Sequence, residues 1–394
     1  MNKAGYILLT GIILLFCFAA GCTTQQKAPP PESIPGPSII DLEDIAATSS
    51  GITLNDAIGR EVTVPRNITN ILCLGPGSMR YLSWLGATGK ACGVDQNELT
   101  IHGSAVPAYL LANPRIFNLP ALRKNSLSAY PSMIRSFSPK PDLIIRTGES
   151  EEMPADELQM QTGIPVLVIR EGDLAYGRND MNFALRLMGV VLGKSNRAED
   201  VIRFFDKVVE NLQTRTATIA EYQMKSGYLG AYADGEPRSL LSTDPEYLPF
   251  QLVRVRNSAE DYAGQKGILG PVAIPHEVFT RMKPDIIALD LTTRSLEDNA
   301  MNELETDDDY RQMAAVRNGE VYGLLPTALY GEEHDADLIN AYVIGKALYP
   351  DKFIDVDPEV MADYIYGFLY GTPLYEQMNR ELGGITLSRI PLFT

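Results

Sequence analysis

Positive charge, histidine and cysteine are the scarce features of this 394-residue chain. Lys and Arg total 34 against 50 Asp and Glu, a formal balance of −16. A surface that acidic excludes a nucleic-acid partner, because phosphate binding needs a basic footprint. Three His leave little room for a His-rich metal centre, and His102, His276 and His334 are scattered along the chain. Four Cys exclude a disulfide-framework scaffold at this length. Cys73 and Cys92 show no zinc or CxxC spacing and read as buried free thiols, with a bridge between them as the alternative. There is no G-x-S-x-G nucleophile elbow, no H-E-x-x-H helix and no EF-hand loop. Met188 to Ser195 mimics a phosphate loop, but has one residue too few between its glycines and ends a helix. Gly193 and Lys194 read instead as a helix cap with a cation at the negative end of the dipole. The acidic run from Glu297 to Asp309 is irregular and reads as a solvated loop.

What is present in quantity is apolar: 45% of residues are hydrophobic, enough for real cores. At about 150 residues per domain the length suggests two or three compact units. Residues 1–22 read as an address. Lys3 precedes an apolar stretch from Ile7 to Ala20 that closes in Ala19-Ala20-Gly21-Cys22. That is a secretory-signal pattern, and Cys22 resembles the lipidated cysteine of a lipobox. An uncleaved membrane anchor is the second reading, and both put the rest of the chain outside the membrane. Thr23 to Ser50 contains Pro29-Pro30-Pro31 and Ser33-Ile34-Pro35-Gly36-Pro37-Ser38, and reads as an extended tether.

From Gly51 onward, buried strand signals alternate with helical ones. Asn70 to Leu74, Val94, Asp142 to Ile145 and Pro165 to Ile169 read as strands, with helices at Met79 to Leu85 and Met181 to Leu192. The pattern restarts at Tyr228 to Tyr232, Pro284 to Leu289 and Val321 to Leu325. Lys140-Pro141-Asp142 and Lys283-Pro284-Asp285 open echoing strands in the two halves. Between the halves, Asn196 to about Tyr222 keeps a 3.6-residue apolar stripe through Val201, Phe204, Phe205, Val208, Leu212 and Ile219. Such a helix would run roughly 40 Å and can cross from one lobe to the other. The expected class is α/β, with two Rossmann-like lobes of mostly parallel sheet joined by one long helix. The expected boundaries are 51–195 for the first lobe, 196–223 for the linking helix and 224–394 for the second lobe, with the tail helices packed onto that second lobe.

Gly59 to Pro65, Leu74 to Ala87, the two Lys-Pro-Asp strands, Ser242 to Phe250 and Leu348-Tyr349-Pro350 together resemble the extracytoplasmic substrate-binding proteins of iron-complex and vitamin B12 ABC importers. The likeness runs from about Gly51 to Tyr370. It implies a monomer without cofactor or catalysis, a small-molecule metal chelate as cargo in the interlobe cleft, a permease as partner, and the membrane as anchor through Cys22. The cargo implied is an iron(III) chelate of siderophore or haem type. A corrinoid or an oxyanion such as molybdate is the alternative within the same architecture, and an extracytoplasmic enzyme or a sensor without transporter would be different classes.

Open α/β sheets bind ligands beyond strand C-termini. The residues expected at the cleft are therefore Gly77, Ser78, Met79 and Arg80 after the first strand, and Arg146 and Thr147 after Ile145. In the second lobe they are Tyr232, Arg238, Thr243, Tyr247 and Phe250, with Tyr330 after Val321 to Leu325. Arg80 and Arg238 would pair with an anionic chelate, and Tyr247 and Phe250 would cover a planar one. The resemblance also implies that Glu277 docks on a permease arginine. The matching first-lobe stretch, Ser128 to Lys140, has no Glu.

Overall fold

Each half of the chain folds around a parallel sheet whose central strands are buried on both faces. A computed structural model describes residues 46–47, 51–100, 105–123, 127–233 and 235–393. The signal segment, Cys22, His102 and nearly all of the tether lie outside them. The described residues fall within one unit, Pro35–Thr394. Among them, no helix is long and apolar enough to cross a membrane.

A small antiparallel sheet comes first: β1 (Ala46–Ala47), β2 (Gly51–Asn55) and β3 (Glu61–Pro65). The first lobe follows with β4 (Ile71–Leu74), β5 (Ala91–Asp95), β6 (Ala121–Leu122), β7 (Leu143–Thr147) and β8 (Val166–Ile169). Their spatial order is β6-β5-β4-β7-β8, all parallel, with Ile71 opposite Leu143 and Leu74 opposite Arg146. Alternate side chains leave each strand on opposite faces. Leu72, Leu74, Ile144, Val166 and Val168 pack in one cluster with Ile134 and Leu158, from α3 (Tyr130–Arg135) and α4 (Ala155–Thr162). Ile71, Cys73, Ile145, Leu167 and Ile169 enter the main core with α1 (Ser78–Trp84), α2 (Ala108–Ala112) and α5 (Arg178–Val191). Cys73 and Cys92 are free and buried, as the spacing suggested. Gly193, at φ +64, follows α5, so the loop that mimicked a phosphate site is a helix-to-helix joint.

The linking helix α6 (Ser195–Thr216) ends earlier than its apolar stripe predicted. Thr214, Thr216 and Thr218 are β-branched and poor helix formers. Ile219 is still buried, but from the loop beyond the helix. At 22 residues the helix spans roughly 33 Å. Near its start, Arg197 donates to the Trp84 carbonyl at 2.8 Å and the Phe368 carbonyl at 2.6 Å. Near its end, Arg215 pairs with Asp355 at 2.6 Å, so the two ends are held by different parts of the molecule.

The second lobe has β9 (Ser226–Gly230), β10 (Ser242–Thr243), β11 (Arg256–Asn257), β12 (Val272–Ala273), β13 (Ile286–Asp290) and β14 (Val321–Leu324). Its main sheet is β11-β9-β13-β14, again parallel, while β10 and β12 form an antiparallel pair. The Lys-Pro-Asp echo has one structural meaning in both lobes. Asp142 accepts from the backbone N–H of Thr69 and Asn70 at 2.8 and 3.0 Å, beside the start of β4. Asp285 accepts from the N–H of Ser226 at 2.8 Å, at the start of β9. In each lobe the aspartate pins its own strand to the neighbour that leads the sheet.

Helices of this lobe are α7 (Leu248–Leu252), α8 (Glu260–Lys266), α9 (His276–Phe279), α10 (Ala300–Thr306), α11 (Asp308–Gln312), α12 (Ala314–Arg317), α13 (His334–Leu348), α14 (Pro358–Tyr370) and α15 (Tyr375–Glu381). Two of them correct the sequence reading of 297–309 as a loop. Asn299 caps α10 by accepting from Met301 and Asn302, and Asp307 caps α11 by accepting from Asp309 and Tyr310. The segment that looked merely solvated supplies helix N-caps. A second correction concerns the tail: α14 packs on α13 but also against α1 and α2 of the first lobe, so it braces both halves.

Candidate functional site

The first lobe leads outward from its middle strand, β4, with β5 on one side and β7 on the other. This is the position at which open parallel sheets leave a crevice at their C-terminal edge. A pocket of about 380 Å³ lies there, inside the usual range for small-molecule sites. Leu74, Gly75 and Pro76 after β4, Asp95 and Asn97 after β5, and Arg146, Thr147 and Glu149 after β7 form its wall, and Tyr330 of the second lobe reaches into it.

The glycine turn makes this edge tight. Gly75 and Gly77 have φ of +81° and +82°, a region that favours glycine. A Cβ on Gly75 would stand 3.0 Å from the Thr147 carbonyl oxygen, so the turn lies directly on the end of β7.

Arg146, only 9% exposed, donates to the Met153 carbonyl at 2.6 Å. Burial draws its pKa down, and the nearby Glu149 charge works the other way. Glu149 accepts from the backbone N–H of Ala155 at 2.7 Å, which ties the pocket wall to the start of α4. Tyr130 is pushed up to about 12, chiefly by burial and then by Asp95. Burial also raises Tyr330, with Asp95 adding to it. Both phenols therefore rest protonated and can donate hydrogen bonds. Against one guanidinium the pocket sets two carboxyl groups, Asp95 and Glu149.

Of the residues expected at the cleft, Arg146, Thr147 and Tyr330 come together in this pocket. The others are placed elsewhere. Ser78 is buried and donates to the Gly75 carbonyl at 2.9 Å, and Met79 is in the core. Arg80 is wholly buried and paired at 2.7 Å with Glu171 and at 2.6 Å with Glu333, so it offers nothing to the pocket. Gly77 faces the Glu171 carboxylate and not open space. Tyr232 is buried, its backbone paired with Ser242. Arg238 is exposed, and Thr243 is buried in β10. Tyr247 and Phe250 pack edge to face at 5.2 Å within the second-lobe core, and Asn340 donates to the Tyr247 hydroxyl at 3.1 Å. The physical reason is α7: with Pro249 in its first turn the segment coils, and Phe250 turns onto Gly227 of β9.

Sequence reasoning missed Asp95, Asn97, Tyr130, Glu149, Ser150 and Met153. Asp95 ends a strand, so the same edge rule would have found it. Tyr130 gave no local signal, because a helix distant in sequence from the strand ends carries it to the pocket. Away from the cleft, the fold brings His276 to within 3.1 Å of Asp307 and 3.9 Å of Asp309 on the surface. Glu277, next to it, is exposed.

No family model matches the chain. A Bacillus subtilis protein named an uncharacterized ABC transporter substrate-binding lipoprotein, YvrC, is 21% identical over 304 residues, 77% of this chain and 87% of that one. Among solved structures, a solute-binding protein of an ABC transporter from Sulfurospirillum deleyianum aligns with a TM-score of 0.61 at 18% identity, covering 84% of this chain and 99% of that one. The Haemophilus influenzae periplasmic binding protein MolA, solved with molybdate, aligns with a TM-score of 0.61 at 19% identity, covering 82% and 98%. The chain therefore has the two-lobed, helix-linked α/β fold of those solved solute-binding proteins. That fold is the one the sequence resemblance implied.

Proposed function

We propose that this chain captures an iron(III) chelate between its lobes and delivers it to the permease of an ABC importer, tethered outside the membrane through lipid on Cys22. The observation that carries the reading is the pocket at the β4–β7 edge, roofed by Tyr330 from the opposite lobe. Its phenols can give hydrogen bonds to the oxygen donors of a chelator. Arg80 is committed to carboxylates, so among the described lining residues Arg146 is the guanidinium that would meet the chelate. A pocket of about 380 Å³ is small for a corrinoid.

Isothermal titration calorimetry of the C22A chain with a ferric trihydroxamate, molybdate and cyanocobalamin tests this. Saturable binding of the ferric complex, with release of the intact complex, is expected. Preference for molybdate or the corrinoid would replace the cargo assignment, and chemical conversion of any of them would end the transport reading.

A further inference from the structure

Arg80 lies at the meeting of the two lobes. Its Nη1 reaches Glu171, which follows β8 of its own lobe, at 2.7 Å. Its Nη2 reaches Glu333, which precedes α13 of the other lobe, at 2.6 Å, and the Tyr330 carbonyl oxygen at 3.0 Å. We propose that Arg80 is the positioning residue of the cleft: it fixes the separation of the lobes through Glu171 and Glu333 and so sets the Tyr330 ring over the pocket. This rests on the binding role proposed above for that pocket.

The joint is built from both sides. The backbone N–H of Glu332 donates to Glu171 at 3.1 Å, so the first-lobe carboxylate is also held by the second lobe. A Cβ on Gly331 would stand 2.1 Å from Glu171 Oε1, and one on Gly77 would stand 3.0 Å from it. The carboxylate therefore fits because the backbone on both sides of it, one from each lobe, carries no side chain. The Arg80 guanidinium lies 5.2 Å from the Tyr109 ring centre, and its side chain is wholly buried. The other cation of this region, Arg178, is held by Asp206 of α6 and so does not share the load.

Burial of an ion pair is a weak source of net stability, because desolvation offsets the attraction. What a forked guanidinium supplies is geometry: two carboxylates and a carbonyl held in fixed directions. Here those directions point to both lobes and to the backbone of Tyr330, the second-lobe residue that lines the pocket. Loss of the clamp would leave the lobes sampling wider separations, and apparent affinity would fall with the fraction of closed molecules.

The test measures interlobe distance directly. Spin labels are placed by M160C on α4 and L269C in the second lobe, both exposed, in a C17A/C22A background; Cys73 and Cys92 are buried. Electron–electron double resonance on the parent protein should give one narrow distance. R80K and E333A should each lengthen and broaden it, and should weaken ferric trihydroxamate binding by about tenfold or more. D56N removes a carboxylate from a buried pair with Arg60 that stays within the first lobe. It should lower the melting temperature and leave the distance alone, which separates positioning from general loss of stability. If R80K does not fold, the folded E333A decides. Unchanged distances in E333A would overturn the proposal, whatever its affinity. Widened distances in a protein that binds none of the three probes would sustain Arg80's role while the cargo reading falls.

Discussion

The indole N–H of Trp84 donates to the Tyr370 hydroxyl at 3.2 Å, and that hydroxyl donates in turn to Asp335 at 3.1 Å. The relay joins α1 of the first lobe to α14 and α13, across the same boundary that Arg80 bridges. Asp335 is 1% exposed, so water cannot stand in for the tyrosine. Tyr370→Phe would remove an acceptor from Trp84 and the donor from Asp335. Leaving buried polar groups unmatched costs about 1–3 kcal/mol. A denaturant midpoint equal to that of the parent would show that the relay does not hold the halves together.

Folding should take up protons. Glu333 faces Arg80 of α1, Glu171 after β8, Tyr109 of α2, Asp335 of α13, and Tyr366 and Tyr370 of α14. Burial pushes its carboxyl up to about 8, against the pull of Arg80, and Asp335 adds to the rise. Asp335 and Glu171 are raised as well, both chiefly by burial. His334 is drawn down to about 3 by burial and stays neutral throughout. A carboxyl whose pKa is higher folded than unfolded binds a proton on folding. The stability it contributes is then fully present below the ordinary carboxylate range and is lost as pH rises toward about 8. The denaturant midpoint should fall between about pH 6 and about pH 9, and E333Q, neutral at every pH, should flatten the profile. A flat profile in the parent would refute the coupling.

Much of the fold was legible because strands buried on both faces leave continuous apolar runs. Ile71 to Leu74, Val166 to Ile169 and Ile286 to Leu289 sit where those runs placed them. The Lys-Pro-Asp echo was legible as a repeat, although its meaning, an aspartate tying two strand starts, needed the register. The site was less legible. Strand ends point to the right edge of the sheet, and Arg146 and Thr147 followed from that rule. The rule does not say which charges will be taken by partners. Arg80 is spent on Glu333, far away in sequence, and no local pattern announces a pairing between lobes. Tyr247 and Phe250 lie in the second-lobe core for a different reason: Pro249 opens a short helix that turns them inward.

Space, as well as charge, limits the first lobe. A Cβ on Gly93 of β5 would stand 2.2 Å from the Phe137 ring and 3.0 Å from a Leu72 methyl. Gly93→Ala therefore overpacks the face under α3, which costs about 1–3 kcal/mol where neighbours cannot yield. The melting temperature should fall, and a second change, Phe137→Leu, should restore part of it. Additive loss in the double variant would show that Phe137 is not what the new methyl meets.

The charge balance of the pocket should govern cargo sign. Asp95→Asn leaves a side chain of the same size, and its carbonyl oxygen can still accept from the Asn97 N–H, as the carboxylate does at 2.9 Å. Removing one negative charge beside Arg146 should weaken a cationic ferric trihydroxamate and strengthen an anionic ferric chelate, each by about tenfold, a change of roughly 1.4 kcal/mol. Arg146→Gln should do the opposite. Parallel changes for both probes would mean that the variants disturb pocket shape and that its charges do not select.

Under the proposed transport role, the sequence resemblance assigns Glu277 to docking on a permease arginine. It is exposed in the first turn of α9, where a carboxylate is favoured by the helix N-terminus and free to meet a cation from outside. Because it lies outside the cleft, Glu277→Arg should leave ferric-chelate affinity unchanged in calorimetry. In membrane vesicles carrying the importer, the same change should reduce uptake by placing a positive charge against a permease arginine. Like charges at a contact suppress association, and a rim charge acts on encounter more than on fit. A compensating permease Arg→Glu change should then recover transport. Normal uptake by the Glu277→Arg protein would move the docking surface elsewhere, and weakened cargo binding would show that this helix belongs to the pocket's support.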